Sequence, residues 1–199
     1  MTNETIITVA GLGGQGVLAA ARILGEAAFR RGLPVVVSQL HGMSQRGGAV
    51  EATVSLYGRD VAPSSRIDVL VSLELLEALR LSSRLRPGSV AVVSSQLTPP
   101  PSAPLSGKVT PTKDEILTAL RSRANRVSVV DAGVLAIEAG SAAAANLVML
   151  GTFCALPGAA VAVEDILSAI DRLEMAALRA LAPRALALGY RAARLIGSA

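Results

Sequence analysis

A glycine-rich turn near the amino terminus has the residue types and spacing that point most directly to chemistry. Gly11, Gly13 and Gly16 match the pattern G-x-G-x-x-G, with Gly14 and Gln15 between the last two. An apolar run precedes the turn and a stretch with helical spacing follows it, which is the order of a phosphate-binding βα unit. The first turn of such a helix presents unpaired N–H groups and the positive end of the helix dipole. The pattern therefore predicts an anion-binding turn.

The strand that follows argues against a nicotinamide dinucleotide as the ligand. It is predicted over Pro34–Leu40, and in dinucleotide-binding domains its end carries an acidic residue that binds the ribose. Here the last residues are Ser38, Gln39 and Leu40, followed by His41, and none is acidic. A dinucleotide-dependent dehydrogenase is therefore a minor alternative. A structural role, in which the glycines only let helix and strand pack closely, also explains the turn.

A second loop with glycines, LHGMSQRGGAV from Leu40 to Val50, follows the same strand. Because ligands of open α/β sheets bind at the carboxyl ends of the strands, both loops are predicted to lie at one edge. The loop places side-chain donors next to glycines that let backbone approach a ligand closely. Its candidate binding residues are His41, Ser44, Gln45, Arg46, Gly47 and Gly48.

Two side chains of this loop are candidates for direct ligand contact. His41 is the single histidine of the chain, and it makes either a polar contact near a substrate or a structural hydrogen bond. The Arg46 guanidinium suits a phosphate or a carboxylate. An ion pair within the protein, or bonds to loop carbonyls, is the alternative for Arg46.

Composition favours one α/β domain without a metal of its own. The 199 residues are 51% apolar but only 2% aromatic, so Ala, Val, Leu and Ile must build the core. The net charge of +4 comes from scattered arginines, and the chain has no Trp for base stacking, so nucleic-acid binding is not expected. Cys154, the single cysteine, lies in an apolar run and is predicted to be a buried small hydrophobe. One cysteine cannot hold an iron–sulfur cluster or a structural zinc.

The uncharged stretch Ala139–Val163 is about 25 residues long, which is enough to cross a bilayer. Asn146 lies within it, Pro157-Gly158 interrupts it, and its many small residues suit a helix buried in protein. We therefore expect no membrane span. The N-terminal residues lack the basic start and the long apolar core of a secretory signal, so a cytoplasmic location is expected.

Apolar periodicity and chain breakers predict an alternation of strands and helices. The predicted strands are Thr5–Ala10, Pro34–Leu40, Val50–Tyr57, Ile67–Ser72, Ser89–Ser94, Lys108–Thr110 and Arg126–Val130. The predicted helices are Gln15–Arg31, Glu74–Leu85, Lys113–Ser122, Val134–Ala139, Ala143–Leu156, Val163–Leu173 and Met175–Ile196. The alternation predicts a single-domain, Rossmann-like α/β fold over residues 1–199, with a mostly parallel sheet and helices on both faces. Since no helix is predicted between Pro34–Leu40 and Val50–Tyr57, the second of these strands is predicted to be antiparallel or at an edge.

Two further segments have less specific patterns. The proline-rich stretch Gln96–Ser106 predicts a surface loop. The C-terminal helices carry arginines that form either a solvated face or a docking surface for an acidic partner. These arginines are Arg172, Arg179, Arg184, Arg191 and Arg194.

Taken together, the two glycine loops resemble a known family. GLGGQGVLAAARILGEAAFRRG followed by VVVSQLHGMSQRGGAVEATVSLYG is similar to the gamma-type subunit of the 2-oxoacid:ferredoxin oxidoreductases. The HGMSQRGG form most resembles the beta subunit of indolepyruvate:ferredoxin oxidoreductase. The match is most specific over about the first 60 residues, and the later segment DAGVLAIEAGSAAAANLVMLG agrees with it.

The resemblance implies that the chain works as the small subunit of a complex. Such a complex oxidatively decarboxylates an aryl 2-oxoacid, transfers the acyl group to coenzyme A and reduces ferredoxin. Thiamine diphosphate and the [4Fe-4S] clusters would belong to a larger catalytic subunit, so this chain would hold no cofactor alone and would be inactive alone. Indolepyruvate or another aryl pyruvate is the implied substrate.

The resemblance also implies roles for the two loops. The turn from Gly11 to Gly16 and Arg46 would contact phosphates of coenzyme A or of thiamine diphosphate, and His41 would be an accessory contact near the substrate. Two alternatives remain open: a non-catalytic subunit whose loops only dock the catalytic chain, and an independent nucleotide- or flavin-binding protein. Homodimerisation through the apolar stretch around Asn146 is a further possibility.

Overall fold

The structure is a computed structural model that describes residues 4–40, 48–57, 66–99 and 109–196. Six strands form one sheet at its centre. Their bounds are β1 Thr5–Leu12, β2 Val35–Leu40, β3 Ala49–Leu56, β4 Ile67–Ser72, β5 Leu85–Ser94 and β6 Arg126–Val130. The order across the sheet is β2-β3-β1-β4-β5-β6.

The sheet is mostly parallel, as predicted. Strands β1, β4, β5 and β6 run in one direction. Strand β3 lies antiparallel between β1 and β2, which confirms its predicted direction, while β2 takes the outer position. The short strand predicted at Lys108–Thr110 is not found: Val109 and Thr110 lie outside the sheet, and Lys108 is outside the described residues.

Helices cover both faces of the sheet, which confirms the predicted fold class. Their bounds are α1 Val17–Arg30, α2 Leu75–Leu81, α3 Lys113–Arg121, α4 Ala132–Ala139, α5 Ala145–Cys154, α6 Val163–Arg172, α7 Ala176–Arg179 and α8 Ala182–Ile196. Helices α2 and α3 pack on one face of the β4, β5 and β6 side. Helices α1, α4, α5, α6 and α8 pack on the other face and form the larger core.

The predicted single helix Met175–Ile196 is wrong, because the structure divides it. Helix α7 ends at Arg179 and α8 begins at Ala182. Pro183 is the second residue of α8, where its missing N–H costs nothing because the first N–H groups of a helix have no intrahelical acceptor. The proline therefore starts a new helix instead of continuing the old one.

Helices α5 and α8 approach each other at the backbone. A Cβ atom added at Gly151 would lie 2.2 Å from the Leu186 carbonyl oxygen, and one at Gly189 would lie 1.9 Å from the Val148 carbonyl oxygen. The hydroxyl of Thr152 also donates a 3.2 Å hydrogen bond to the Gly189 carbonyl. The small residues of the uncharged stretch thus allow this close packing.

The same stretch contains Cys154 at the end of α5. Its thiol is buried, and burial raises its pKa to about 12, with the acidic side chains of Asp165 and Glu164 adding to the increase. The prediction of a buried small hydrophobe is confirmed. Within the described ranges, no helix combines the length and apolar character needed to span a membrane.

The C-terminal arginines lie on the protein surface. All five predicted positions are exposed, and Arg179 Nε pairs with Asp171 Oδ1 at 2.7 Å. Exposure agrees with the solvated-face interpretation. The alternative, a docking surface for an acidic partner, stays a prediction.

Candidate functional site

The glycine turn joins β1 to α1 at the carboxyl edge of the sheet. Its left-handed residues are Gly14, with φ of 94°, and Gly16, with φ of 77°. Gly11 instead lies within β1, opposite Val50. A Cβ atom at Gly11 would lie 2.6 Å from Gln15 Oε1, so this glycine makes room for a side chain. In the G-x-G-x-x-G pattern the first glycine is expected to permit the tight turn, but here Gly14 and Gly16 make the bend and Gly11 stays in the strand.

Gln15 closes the turn on itself. Its side-chain oxygen Oε1 accepts a 2.7 Å hydrogen bond from the Leu12 N–H. Its own N–H donates to the Leu12 carbonyl at 3.1 Å. The side chain thus holds the turn. The open side of the turn is at Gly14, where no atom of the described residues lies within 4 Å of an added Cβ.

The two glycine loops meet at one edge. The Gly13 N–H donates a 2.9 Å hydrogen bond to the carbonyl of Gly48, the residue of the second loop that directly precedes β3. Strand pairing places Leu12 opposite Ala49 and Leu40 opposite Glu51, so β1 and β2 both end at this edge. The prediction of a shared edge is confirmed.

Helix α1 begins beside this contact without a side-chain cap. Its N-cap is Gly16, and its first turn contains no acidic residue. Among the described residues, no hydrogen bond uses the backbone N–H groups of Gly14, Gly16, Val17 or Leu18. Uncapped N–H groups together with the positive end of the helix dipole favour an anion.

Asn146 fixes the turn from the other side, and sequence reasoning did not include it in the site. It is 2% exposed, and its side-chain Nδ2 donates to the Gly16 carbonyl at 3.3 Å. Its Oδ1 accepts a 2.8 Å hydrogen bond from the Leu147 N–H at the start of α5. The signal in the sequence was a single amide in a long stretch without charge, because a buried amide needs partners.

A buried carboxylate pair lies near the turn, and sequence reasoning also missed it. The Leu73 N–H donates to the Ala10 carbonyl at 2.8 Å, which places the end of β4 beside the end of β1. The next residue, Glu74, is fully buried and accepts hydrogen bonds from the N–H groups of Glu77 and Thr98. Glu74 therefore caps α2 and ties it to the segment after β5.

Glu77 is the second member of this pair. Burial raises its pKa above the usual value, and the Glu74 carboxylate raises it further, while the Arg80 guanidinium lowers it. The Glu77 carboxylate accepts a 2.5 Å hydrogen bond from Arg80. Both carboxylates accept hydrogen bonds from groups of the protein itself, so we assign them a structural role and not a role in ligand binding.

Five residues predicted in the second loop lie outside the described residues. They are His41, Ser44, Gln45, Arg46 and Gly47. The described end of that loop, Gly48, is the acceptor from Gly13. The ligand roles of all these residues stay predictions.

The order of the strands bears on the dinucleotide alternative. In dinucleotide-binding folds the second strand lies directly beside the first, so its terminal acidic residue can reach the ribose. Here β3 separates β2 from β1, and β2 ends with Gln39 and Leu40. The end of β2 is therefore about 10 Å from β1 and carries no carboxylate there. Among the described residues, no cluster of three or more His, Cys, Asp or Glu side chains could hold a metal ion.

Comparison with known proteins places the chain in a family. A curated relative, the indolepyruvate oxidoreductase subunit IorB of Archaeoglobus fulgidus, is 35% identical over 186 residues, which cover 92% of this chain and 92% of the relative. A solved structure, the keto/oxoacid ferredoxin oxidoreductase gamma subunit of Geobacter sulfurreducens, superposes with a TM-score of 0.70 at 26% identity and covers 96% of this chain and 99% of that one.

A third comparison concerns the fold alone. The 2-oxoglutarate:ferredoxin oxidoreductase of Magnetococcus marinus, solved with 2-oxoglutarate, coenzyme A and succinyl-CoA, gives a TM-score of 0.72 at 18% identity. The match covers 98% of this chain but 32% of that longer chain.

The model of the pyruvate ferredoxin/flavodoxin oxidoreductase family matches residues 6–192. From its glycine turn to its last helix, this chain belongs to the pyruvate ferredoxin/flavodoxin oxidoreductase family.

Proposed function

We propose that this protein is the small subunit of a 2-oxoacid:ferredoxin oxidoreductase. Its relatives are named as subunits of such enzymes, and the relative with 92% mutual coverage is named for indolepyruvate. The proposed reaction oxidises indolepyruvate or another aryl 2-oxoacid, forms an acyl-CoA and carbon dioxide, and reduces ferredoxin. The chain acts within the complex and is inactive alone.

The observation that carries this proposal is the 2.9 Å hydrogen bond between the Gly13 N–H and the Gly48 carbonyl. It joins the two loops on which the family resemblance rests, and it does so beside the uncapped start of α1. The two loops therefore act as one surface. A surface of this kind suits an anionic group that approaches the carboxyl edge of the sheet.

Coenzyme A fits this surface through its phosphates. Gly14 is exposed, has open space around it and lies next to backbone N–H groups that no described residue accepts from. A phosphate at this position would meet the positive end of the helix dipole, and the first turn of α1 contributes no carboxylate that would repel it. We assign the turn from Gly11 to Gly16 to phosphate binding, with Arg46 as a second contact.

The remaining chemistry belongs to the partner in this proposal. Thiamine diphosphate held by the large subunit would supply the carbanion chemistry of decarboxylation, and clusters there would pass electrons to ferredoxin. This chain would position coenzyme A and exclude water from the mouth of the site. His41 would be an accessory polar contact to the substrate.

The test is a calorimetric titration of coenzyme A into the complex assembled with the large subunit. Gly14→Asp places a carboxylate in the proposed phosphate position, and Asp tolerates a left-handed backbone better than most residues. Gly14→Asn is the neutral variant of nearly the same shape. Gly32→Asp is the matched control, because Gly32 has a φ of 74°, open space around it and a place at the other end of α1.

We expect Gly14→Asp to weaken coenzyme A binding about tenfold or more. Two like charges about 4 Å apart near a protein surface repel by up to about 4 kcal/mol, and a tenfold loss needs about 1.4 kcal/mol. Gly14→Asn and Gly32→Asp should bind within about twofold of the wild type. Arg46→Ala should also weaken binding. Unchanged affinity in both Gly14→Asp and Arg46→Ala would remove the ligand role from the two loops.

A second candidate function is a non-catalytic docking subunit, and one observation favours it. Val134 and Ile137 on α4 are 60% and 68% exposed. Helix α4 begins after the carboxyl end of β6, so these two side chains lie near the same edge of the sheet as the glycine turn. Exposed apolar side chains at such an edge suit a protein partner. Serine at both positions should reduce co-purification with the large subunit, whereas Phe29→Ser, an equally exposed apolar residue elsewhere, should not.

A further inference from the structure

A cavity of about 570 Å³ opens at the amino edge of the sheet, opposite the glycine loops. Its wall includes Thr5 at the start of β1, Leu56 at the end of the antiparallel strand β3 and Arg126 at the start of β6. The segment after α5, from Pro157 to Ala160, closes one side. The cavity is therefore separated from the proposed coenzyme A surface by the length of the sheet, and it does not depend on the proposed function.

The floor of this cavity is apolar and belongs to the buried core. Ile7, Leu56 and Phe153 line it and are 1%, 2% and 2% exposed, respectively. They belong to the larger core, on the face covered by α1 and α5. Such a floor accepts an aromatic ring or a branched alkyl group through apolar burial and dispersion contacts.

The rim of the cavity is polar and carries positive charge. Tyr57, Asn125 and Arg126 line it, and no carboxylate is among the described lining residues. Arg31 also lies there, but its guanidinium is occupied, since it donates to Asp165 Oδ2 at 3.0 Å.

The three other rim side chains have no such partner. Among the described residues, no hydrogen bond or ion pair involves the Tyr57 hydroxyl, the Asn125 side-chain amide or the Arg126 guanidinium. All three can donate hydrogen bonds, and Arg126 adds a permanent charge. Three side chains that can donate hydrogen bonds therefore line one opening, and none of the described lining residues is a carboxylate.

The backbone holds two of these residues in fixed positions. Asn125 donates its N–H to the Ser89 carbonyl at 2.8 Å, and Tyr57 donates its N–H to the Pro34 carbonyl at 2.8 Å. Tyr57 also has a φ of 60°, which is unusual for a bulky residue and costs conformational energy. A strained aromatic residue at the opening of a cavity is a feature that binding sites often show.

We propose that this cavity binds a small organic carboxylate with an aromatic or branched apolar body. Arg126, with Asn125 and Tyr57 beside it, would bind the carboxylate, and the body would lie on Ile7, Leu56 and Phe153. A carboxylate is favoured over a phosphate because the described part of the lining offers a single unpaired guanidinium, that of Arg126, above an apolar floor, whereas phosphate sites are typically polar throughout.

The test uses indole-3-acetate as the probe, with the full chain in solution. The chain contains no Trp, so indole emission reports the probe alone when light that tyrosine does not absorb is used for excitation. Fluorescence anisotropy should rise and saturate, with a Kd at or below about 1 mM for a ligand of this size. Indole without the carboxylate should bind at least tenfold more weakly.

Two variants locate the probe. Arg126→Gln should weaken binding at least tenfold, while the matched control Arg121→Gln, an exposed arginine at the end of α3 that does not line the cavity, should leave it unchanged. Ala160→Leu keeps every charge but fills part of the cavity, and it should also weaken binding. Thermal unfolding of each variant verifies that the fold is retained.

Three results would overturn the assignment. One is the absence of saturable binding to the wild-type chain. Another is binding that neither Arg126→Gln nor Ala160→Leu weakens in variants that fold. The last is binding that Gly14→Asp abolishes, because this would place the probe at the carboxyl edge. Failure here leaves the coenzyme A titration unaffected, since that experiment tests the opposite edge.

Discussion

The side-chain amide of Asn146 donates a 3.3 Å hydrogen bond to the Gly16 carbonyl, and a Cβ atom at Gly16 would lie 2.6 Å from the same amide nitrogen. The start of α5 therefore supports the start of α1. Because Gly16 also has a left-handed φ, both its conformation and the space beside it require glycine. The proposed phosphate-binding turn is held by a residue 130 positions away in the chain.

Asn146→Ala should lower the free energy of unfolding by about 2–3 kcal/mol, because it removes a buried amide and leaves the Leu147 N–H without its 2.8 Å acceptor. Chemical denaturation measures the change. Ser122→Ala also loses one side-chain hydrogen bond, but an exposed one, and should cost less than about 0.5 kcal/mol. A loss at Asn146 as small as that of the control would mean that the amide does not support the turn.

Gly189→Ala should destabilise the protein by about 3 kcal/mol or more, because an added methyl group would lie 1.9 Å from the Val148 carbonyl oxygen and force α5 and α8 apart. The control is Gly133→Ala in α4, where the nearest atom lies 3.6 Å from the added carbon. That variant should be neutral or more stable, since alanine favours a helix over glycine by about 1 kcal/mol. Equal melting temperatures for the two variants would contradict the close helix contact.

The buried carboxylate Glu77 predicts a pH dependence. Because burial raises its pKa in the folded chain, the folded state holds this proton more strongly than the unfolded state does. The free energy of unfolding should therefore fall as the pH rises from about the ordinary value of 4.5 through the raised folded value.

Glu77→Gln should remove this fall. The variant is expected to be more stable than the wild type at neutral pH, with the difference vanishing toward the ordinary pKa of 4.5. Urea denaturation across this pH range measures the effect, and Glu138→Gln, an exposed glutamate on α4, is the control. The prediction would be contradicted if lowering the pH toward 4.5 made the wild type less stable relative to Glu77→Gln.

Cys154 should be inert toward thiol reagents in the folded protein. Its thiol is buried and burial raises its pKa to about 12, so the reactive thiolate is scarce at neutral pH. Labelling with a chromogenic disulfide reagent should proceed only as fast as the chain opens and should become complete in denaturant. Rapid stoichiometric labelling in native buffer would show that the end of α5 is accessible.

Much of the fold follows from local patterns in the sequence. The strands Ile67–Ser72 and Arg126–Val130 have the predicted bounds, because each is a short apolar run between polar or breaking residues. The break between α7 and α8 was also visible in principle, since Pro183 lies just after it. An alanine-rich, helix-favouring context concealed that signal.

Contacts between distant segments were harder to predict. Nothing near Gly16 in the sequence identifies Asn146 as its partner, and nothing near Leu40 shows that β3 would lie between β1 and β2. The same is true of the cavity at the amino edge, whose polar rim combines Tyr57 with Asn125 and Arg126. Such sites depend on topology, and periodicity along the chain carries little information about it.

The outer position of β2 has a consequence for the isolated protein. Strand Val35–Leu40 reads VVVSQL, without a charge or a proline, and its second edge finds no neighbour in the described sheet. Natural proteins commonly protect such edges with charges, prolines or a covering element. A purified preparation is therefore expected to self-associate through this edge as its concentration rises. A binding partner that covers the edge of β2 should keep the protein monodisperse.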